Sequence, residues 1–173
     1  MGETLQIIRE RRSVRSYKPD MIPEETLQKI LEAGTWAATG MGRQSPIIVA
    51  VTNKELRDRL SHMNAKIMGT DTDPFYGAPV VLIVLADKHV PTHVYDGSLV
   101  MANLMLAAAD LGIGSCWIHR AKEEFESEEG KEILKSLGIE GEYEGNGHCI
   151  LGYPAGEPKK AADRKNFYIY YAR

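Results

Sequence analysis

The run Arg11-Arg12-Ser13-Val14-Arg15-Ser16-Tyr17 puts three guanidiniums and three hydroxyls into seven residues of a chain whose formal net charge is −3. Guanidiniums stay ionised at any working pH, and their planar forks match phosphate oxygens in geometry. A serine hydroxyl between them adds a donor to the same oxygens. The cluster reads as a seat for one small phosphorylated ligand, not as a general basic surface. A second reading stands beside it. Leu5, Ile8 and Arg12 share a helical face, so Arg11 and Arg12 could instead complement the negative C-terminal end of a short first helix.

Two further segments carry polar groups in suggestive places. In Ala37-Ala38-Thr39-Gly40-Met41-Gly42-Arg43-Gln44-Ser45-Pro46, two glycines around Met41 let backbone pass close to a flat ligand, and Gln44 offers both donor and acceptor. The plain alternative is a helix end followed by a turn. In Cys116-Trp117-Ile118-His119-Arg120, polar residues emerge where a strand stops, which is where cofactors tend to sit in α/β folds.

The usual sources of reactivity are missing from the pattern. There is no Gly-x-x-x-x-Gly-Lys-Ser/Thr phosphate loop and no Gly-x-Ser-x-Gly elbow. Gly112-Ile113-Gly114 lies after a helix and before a strand, the reverse of the dinucleotide fingerprint. His89 and His93 have Pro91 between them, which spoils the helix that would align them as metal ligands. Asp71-Thr72-Asp73-Pro74 has the composition of a turn. His148 and Cys149 are neighbours on a strand, face opposite ways, and read as core packing. A phosphate seat without a strong acid, base, nucleophile or metal belongs to a protein that either only binds or borrows its reactivity from a cofactor.

The elements that must position these residues alternate helix with strand. Met21-Ile22-Pro23-Glu24-Glu25 starts a helix, with Pro suited to the first turn and two glutamates facing the positive dipole end. Its apolar period runs through Leu27, Ile30 and Leu31 and predicts an end near Thr39–Gly42. Ile47–Val51 reads as a buried strand and Asn53–Met68 as a helix. Residues 79–85 are apolar on both faces, as a central strand requires. From Gly97 to Leu111 the chain is apolar nearly all round, so that helix must be covered on every side. In a 19.3 kDa chain this favours a homodimer with the helix near the subunit boundary. A short strand over Gly114–His119, an acidic helix ending near Leu137 and a strand over Gly147–Gly152 follow. The tail Asn166–Tyr171 has strand composition and could add to a sheet edge, including a partner's.

Composition bounds the rest. The chain has 173 residues, 43% of them hydrophobic, enough for one domain with a real core. No stretch reaches the ~18–20 apolar residues of a membrane span. The amphipathic, charged start argues against secretion, and two cysteines fit a reducing cytoplasm. Near-neutral charge disfavours nucleic acid as a partner.

Taken in order, these segments resemble the nitroreductase family of FMN-dependent oxidoreductases. The resemblance runs through the arginine run, Ala38-Thr39-Gly40-Met41-Gly42-Arg43-Gln44-Ser45-Pro46, Phe75-Tyr76-Gly77-Ala78-Pro79, the Asp96-to-Leu111 helix, Gly112-Ile113-Gly114-Ser115-Cys116-Trp117-Ile118, and Leu151-Gly152-Tyr153-Pro154. It implies a single FMN-binding α+β domain over residues 1–173. A mixed, mainly antiparallel central sheet would be flanked by helices in an interlocked homodimer, with an extension over 155–173 reaching the partner.

The resemblance also implies site residues. Arg11, Ser13 and Arg15 match positions that hold the FMN phosphate and ribityl chain, with Arg12 against the same region. Thr39, Gly40, Met41 and Gly42 match a loop that the partner lays along the flavin, and Gln44 follows in it. Asn64 matches an asparagine at the pyrimidine edge. His119 and Arg120 match positions whose backbone N–H groups approach the hydride-accepting nitrogen, and Arg164 matches an arginine closing over the phosphate. Two departures stand out: Gly42 replaces a frequent Asn, and Ala162 replaces a second cation for which Lys160 or Lys165 could compensate. No residue is implied as catalytic and no metal is called for. The implied reaction passes electrons from NAD(P)H to a small organic acceptor by a ping-pong mechanism, with Phe75 and Tyr76 as candidates for the acceptor pocket. The alternatives are a non-catalytic or sensory FMN-binding protein, or a specialised flavin reaction such as ene reduction or dehalogenation.

Overall fold

The computed structural model describes residues 2–173. Its centre is the strand β2, Val80–Asp87, whose residues from Val80 to Ala86 are all fully buried. A strand apolar on both faces needs a layer on each. The sheet has the order β1-β2-β4-β3 and is antiparallel at every pairing, with β1 at Pro46–Val51, β4 at Tyr143–Gly152 and β3 at Gly114–Ile118. This is the mixed helix and antiparallel-sheet architecture that the sequence led us to expect.

The described residues form six helices. They are α1 (Glu3–Glu10), α2 (Glu24–Thr35), α3 (Lys54–Met68), α4 (His93–Asp110), α5 (Ala121–Glu126) and α6 (Glu128–Ser136). On one face Leu60 and Met63 of α3, Phe125 of α5 and Ile133 of α6 pack on Val81, Ile83 and Ile150. On the other, Leu27 and Ile30 of α2 and Met101 and Leu104 of α4 pack on Leu82, Val84 and Cys149. His148 and Cys149 are fully buried. The His148 ring lies 5.2 Å from Phe75 and pairs with Glu124 at 2.9 Å, so both residues belong to the core, as their alternation on β4 foretold.

Several boundaries differ from the sequence reading, each for a local reason. Helix α2 stops at Thr35, not near Thr39–Gly42, where the chain instead makes a short 3-10 turn over Gly40–Gly42. The acidic helix is two helices. Ser127 has extended backbone (φ −70°, ψ 156°), accepts from the Gly130 N–H through its hydroxyl and so caps α6 at its N-terminus. Strand β4 begins at Tyr143, ahead of Gly147, and its register with β2 shifts between Val84 and Leu85. The tail forms no strand within one chain. Residues 167–171 are exposed, because a lone extended segment has nothing to pair with its backbone groups.

Candidate functional site

The arginine run is extended backbone pinned to the sheet. Ser13 bridges Ser115 at the start of β3, and the Val14 N–H donates to the Ser115 carbonyl at 2.9 Å. Further along, the Lys18 N–H donates to the Tyr153 carbonyl and the Ala155 N–H to the Ser16 carbonyl. Val14 and Tyr17 point into the core, and the Tyr17 hydroxyl donates to the Val14 carbonyl at 2.8 Å. The alternation leaves Ser13 and Arg15 facing a cleft of about 700 Å³ that also takes in Arg11, Arg12, Lys160 and Arg164. In a chain of net negative charge this concentration of cations is the expected field for a phosphate.

The arginines of this cleft are not equivalent. Arg12 donates through Nη1 to the Arg9 and Arg11 carbonyls, both at 2.7 Å. Its head closes the C-terminal end of α1, so for Arg12 the helix-end reading holds. Arg11 is different: its Nη1 is buried with no hydrogen-bond partner. A buried charged donor left unpaired is costly, and an anion in the cleft would satisfy it. Arg15 is exposed, and Arg164 donates to the Ala162 carbonyl at 2.7 Å. Lys160 lines the cleft, whereas the Lys165 ammonium lies 5.1 Å above the Tyr168 ring. Of the two, Lys160 is therefore the one on the cleft, where Lys159 also lies. Beneath the cluster, burial pushes the Cys116 thiol up despite Arg15, Ser13 and Arg11, which keeps it neutral and unreactive.

At the other end of β3, His119 is exposed and Arg120 takes up left-handed backbone (φ 79°, ψ 6°). Asn64, fully buried on α3, holds both. Its Nδ2 donates to the His119 carbonyl at 2.8 Å, and its Oδ1 accepts from Arg120 Nε at 2.9 Å. The residue expected at a pyrimidine edge is thus engaged with the turn.

The Thr39–Gln44 loop is anchored on Asp96 in the first turn of α4. The Asp96 carboxylate accepts from the Gly40 N–H at 3.0 Å, the Ser45 hydroxyl at 2.7 Å and the Thr92 hydroxyl at 3.0 Å. Burial raises the Asp96 carboxyl, but these three donors outweigh it and leave it below the usual carboxylate range. Gly40 packs so tightly on Thr92 that a β-carbon there would collide with it. Thr39 Oγ1 accepts from the Gln44 N–H at 3.1 Å. Met41, Gly42 and Gln44 all have positive φ (53°, 65° and 51°), and Met41 is 82% exposed. The loop is rigid at its base and open at its tip. Asp96 was missed as the loop's anchor; the available signal was a carboxylate in the first turn of a largely apolar helix.

Phe75 is fully buried under the Arg57 guanidinium, 5.5 Å from its ring centre, and is therefore packing rather than pocket lining. Asp73 ties its loop together by accepting from Arg57, Ser61 and the Phe75 and Gly77 N–H groups, which bears out the turn reading of Asp71–Pro74. Tyr76 next to it is part-exposed, with φ 54°.

The sequence profile of the nitroreductase family matches residues 8–70 and 70–153. The chain belongs to the nitroreductase family. A crystal structure of a nitroreductase with bound FMN from Bacteroides fragilis is 32% identical, with a TM-score of 0.89 and 100% of both chains covered. A second, from Desulfitobacterium hafniense and also with bound FMN, is 30% identical with a TM-score of 0.87 over 100% of both chains. An Archaeoglobus fulgidus protein named "Putative NADH dehydrogenase/NAD(P)H nitroreductase" is 30% identical, over 97% of this chain and 91% of its own length. The match to a like-named protein of Methanothermobacter thermautotrophicus spans 60% of that protein. Among the described residues, no helix is long and apolar enough to cross a membrane.

Proposed function

We propose that the chain binds FMN with its phosphate in the Arg11–Arg15 cleft and its ring beside the His119–Arg120 turn. In this reading it passes electrons from NAD(P)H to a small organic acceptor such as a nitroaromatic or quinone. The observation that carries this is the convergence of Arg11, Ser13, Arg15, Lys160 and Arg164 on one cleft, with Arg11 Nη1 left without a hydrogen-bond partner. A phosphomonoester supplies the missing acceptor, and each charge-assisted hydrogen bond contributes about 1.5–3 kcal/mol. Strand β3 links the two ends: its five residues span roughly 16 Å at about 3.3 Å per residue.

Bound FMN supplies the redox chemistry, accepting a hydride and returning electrons. The chain's own part is placement. Arg11, Ser13 and Arg15 hold the phosphate while Lys160 and Arg164 close over it. The His119 and Arg120 backbone sits where negative charge collects, kept there by Asn64. Thr39, Gly40, Met41, Gly42 and Gln44 reach a partner's cofactor from the Asp96 anchor. No second nucleotide fold is needed, because donor and acceptor use one open face in turn, which gives ping-pong kinetics.

A homodimer follows from what one chain leaves uncovered. On α4, Tyr95 is 72% and Leu99 47% exposed, and Trp36 at the end of α2 is exposed beside the Met41 loop. The outer edge of β1 pairs with no other strand among the described residues. The aromatic tail at 167–171, strand-like in composition, suits such an edge on a partner. Both cysteines are free and buried, which suits a cytoplasmic enzyme.

The test is the visible spectrum of the purified protein, recorded anaerobically with NADH or NADPH. Yellow absorption that bleaches, and returns with a nitroaromatic or quinone, is the expected result. A yellow protein that neither donor bleaches would make it a flavin binder instead. One that stays colourless after FMN is added would overturn the proposal.

A further inference from the structure

Arg120 combines three features that do not belong together by chance. Its backbone is left-handed, a conformation that costs free energy in any residue with a β-carbon. Glycine would take up that conformation without strain. Its guanidinium is nevertheless held there, from Nε to the Oδ1 of the fully buried Asn64 at 2.9 Å, while Asn64 Nδ2 fixes the preceding carbonyl at 2.8 Å. Among the described residues no carboxylate pairs with Arg120. Every other hydrogen bond recorded for Asn64 and Arg120 is backbone and local to its own helix or turn.

A strained turn that keeps a bulky cation must be offset by what the cation does. We propose that Asn64 is a positioning residue that pins the His119–Arg120 turn and fixes the Arg120 guanidinium as the cation at the ring end of the flavin site. There Arg120 favours the reduced, more negatively charged cofactor over the oxidised one. This deepens the reading above and rests on FMN occupying the site.

The arrangement has the parts such a role requires. A guanidinium stays charged at every working pH, so its effect does not titrate away. One side of the fork is spent on Asn64, which orients the remaining N–H groups. Asn64 itself is neutral and sealed in α3, so it contributes direction and no charge. The two residues therefore act as a unit, and removing either one should abolish the same effect.

The experiment is the two-electron midpoint potential of bound FMN in wild type, Arg120→Gln, Arg120→Lys, Asn64→Ala and the Asn64→Ala/Arg120→Gln double variant, each with its melting temperature. Arg120→Gln should lower the preference for reduced over oxidised FMN about tenfold, a fall of about 30 mV for a two-electron couple. Arg120→Lys should recover most of it. Asn64→Ala should reproduce the Arg120→Gln fall, and the double variant should fall no further. Arg120→Gly should lower the potential equally while melting no earlier than Arg120→Gln, because the strain is gone. An unchanged potential in Arg120→Gln, or additive falls in the double variant, would overturn the proposal while leaving FMN binding intact. A wild-type protein that takes up no FMN would overturn the flavin reading itself, and this proposal with it.

Discussion

At the start of β3 the site is made of charge, and at its end it is made of backbone. Arg11, Arg15, Lys160 and Arg164 line one open cleft from two stretches of chain far apart in sequence. The His119–Arg120 turn, by contrast, is set by one buried amide on another helix. The Thr39–Gln44 loop belongs to this second kind, since its base is fixed by the buried Asp96. The difference suits the two tasks. A phosphate needs only neutralising charge, and it tolerates side-chain mobility. A ring that exchanges electrons needs donors at fixed positions, which rigid backbone provides.

The comparison breaks most visibly if the charged end is emptied. In Arg11→Ala/Arg15→Ala, FMN affinity should fall to that of riboflavin, the same ring without a phosphate, while riboflavin affinity stays unchanged. Fluorescence titration of the apoprotein with both ligands checks this. Arg11→Ala alone should weaken FMN by roughly 10- to 150-fold, the loss of one charge-assisted hydrogen bond at about 1.5–3 kcal/mol.

The backbone end should fail differently. Asp96→Ala leaves the Gly40 N–H and the Ser45 and Thr92 hydroxyls without their acceptor, and should cost about 2–4 kcal/mol of stability in urea denaturation. Its pH dependence has a definite sign. The Asp96 carboxyl is depressed in the folded protein, so its stabilisation is present above the ordinary value of about 3.9. It is lost as pH falls through the lower folded value. Wild type should therefore destabilise more steeply than Asp96→Ala on acidification below about pH 4.

A smaller effect separates the two candidate lysines. Lys160→Ala should weaken FMN several-fold, and Lys165→Ala should leave it unchanged, because only Lys160 lines the cleft. Smallest of all is the salt effect. Raising ionic strength from about 50 to 500 mM should weaken FMN modestly and riboflavin not at all, since only the phosphate end is screened.

The same contrast governs what the sequence revealed. Charge is written in residue type, so the cluster of cations at Arg11–Arg15 was legible in one run of seven letters. The continuous apolar stretch of β2 was legible as well, because burial on both sides leaves a compositional mark, whereas the apolar α4 keeps Tyr95 and Leu99 exposed within one chain. The clamp from Asn64 to His119 and Arg120 was not legible, because its partners lie more than fifty residues apart. Asp96 went unread for a similar reason: its donors Gly40, Ser45 and Thr92 come together only once α4 packs beside the loop. Arg12 could be read toward the ligand or toward the helix end, and its head meets the carbonyls at the end of α1 while the residue still lines the cleft. Sequence cannot tell which of two adjacent arginines folds back on its own helix.

The most direct test of the central claim is a paired titration of the apoprotein with FMN and riboflavin. The account predicts that wild type binds FMN at least a hundredfold more tightly, and that Arg11→Ala/Arg15→Ala erases the difference. Equal affinities in the wild-type protein would contradict it, because the cationic cleft beside β3 would then not be the seat of the phosphate.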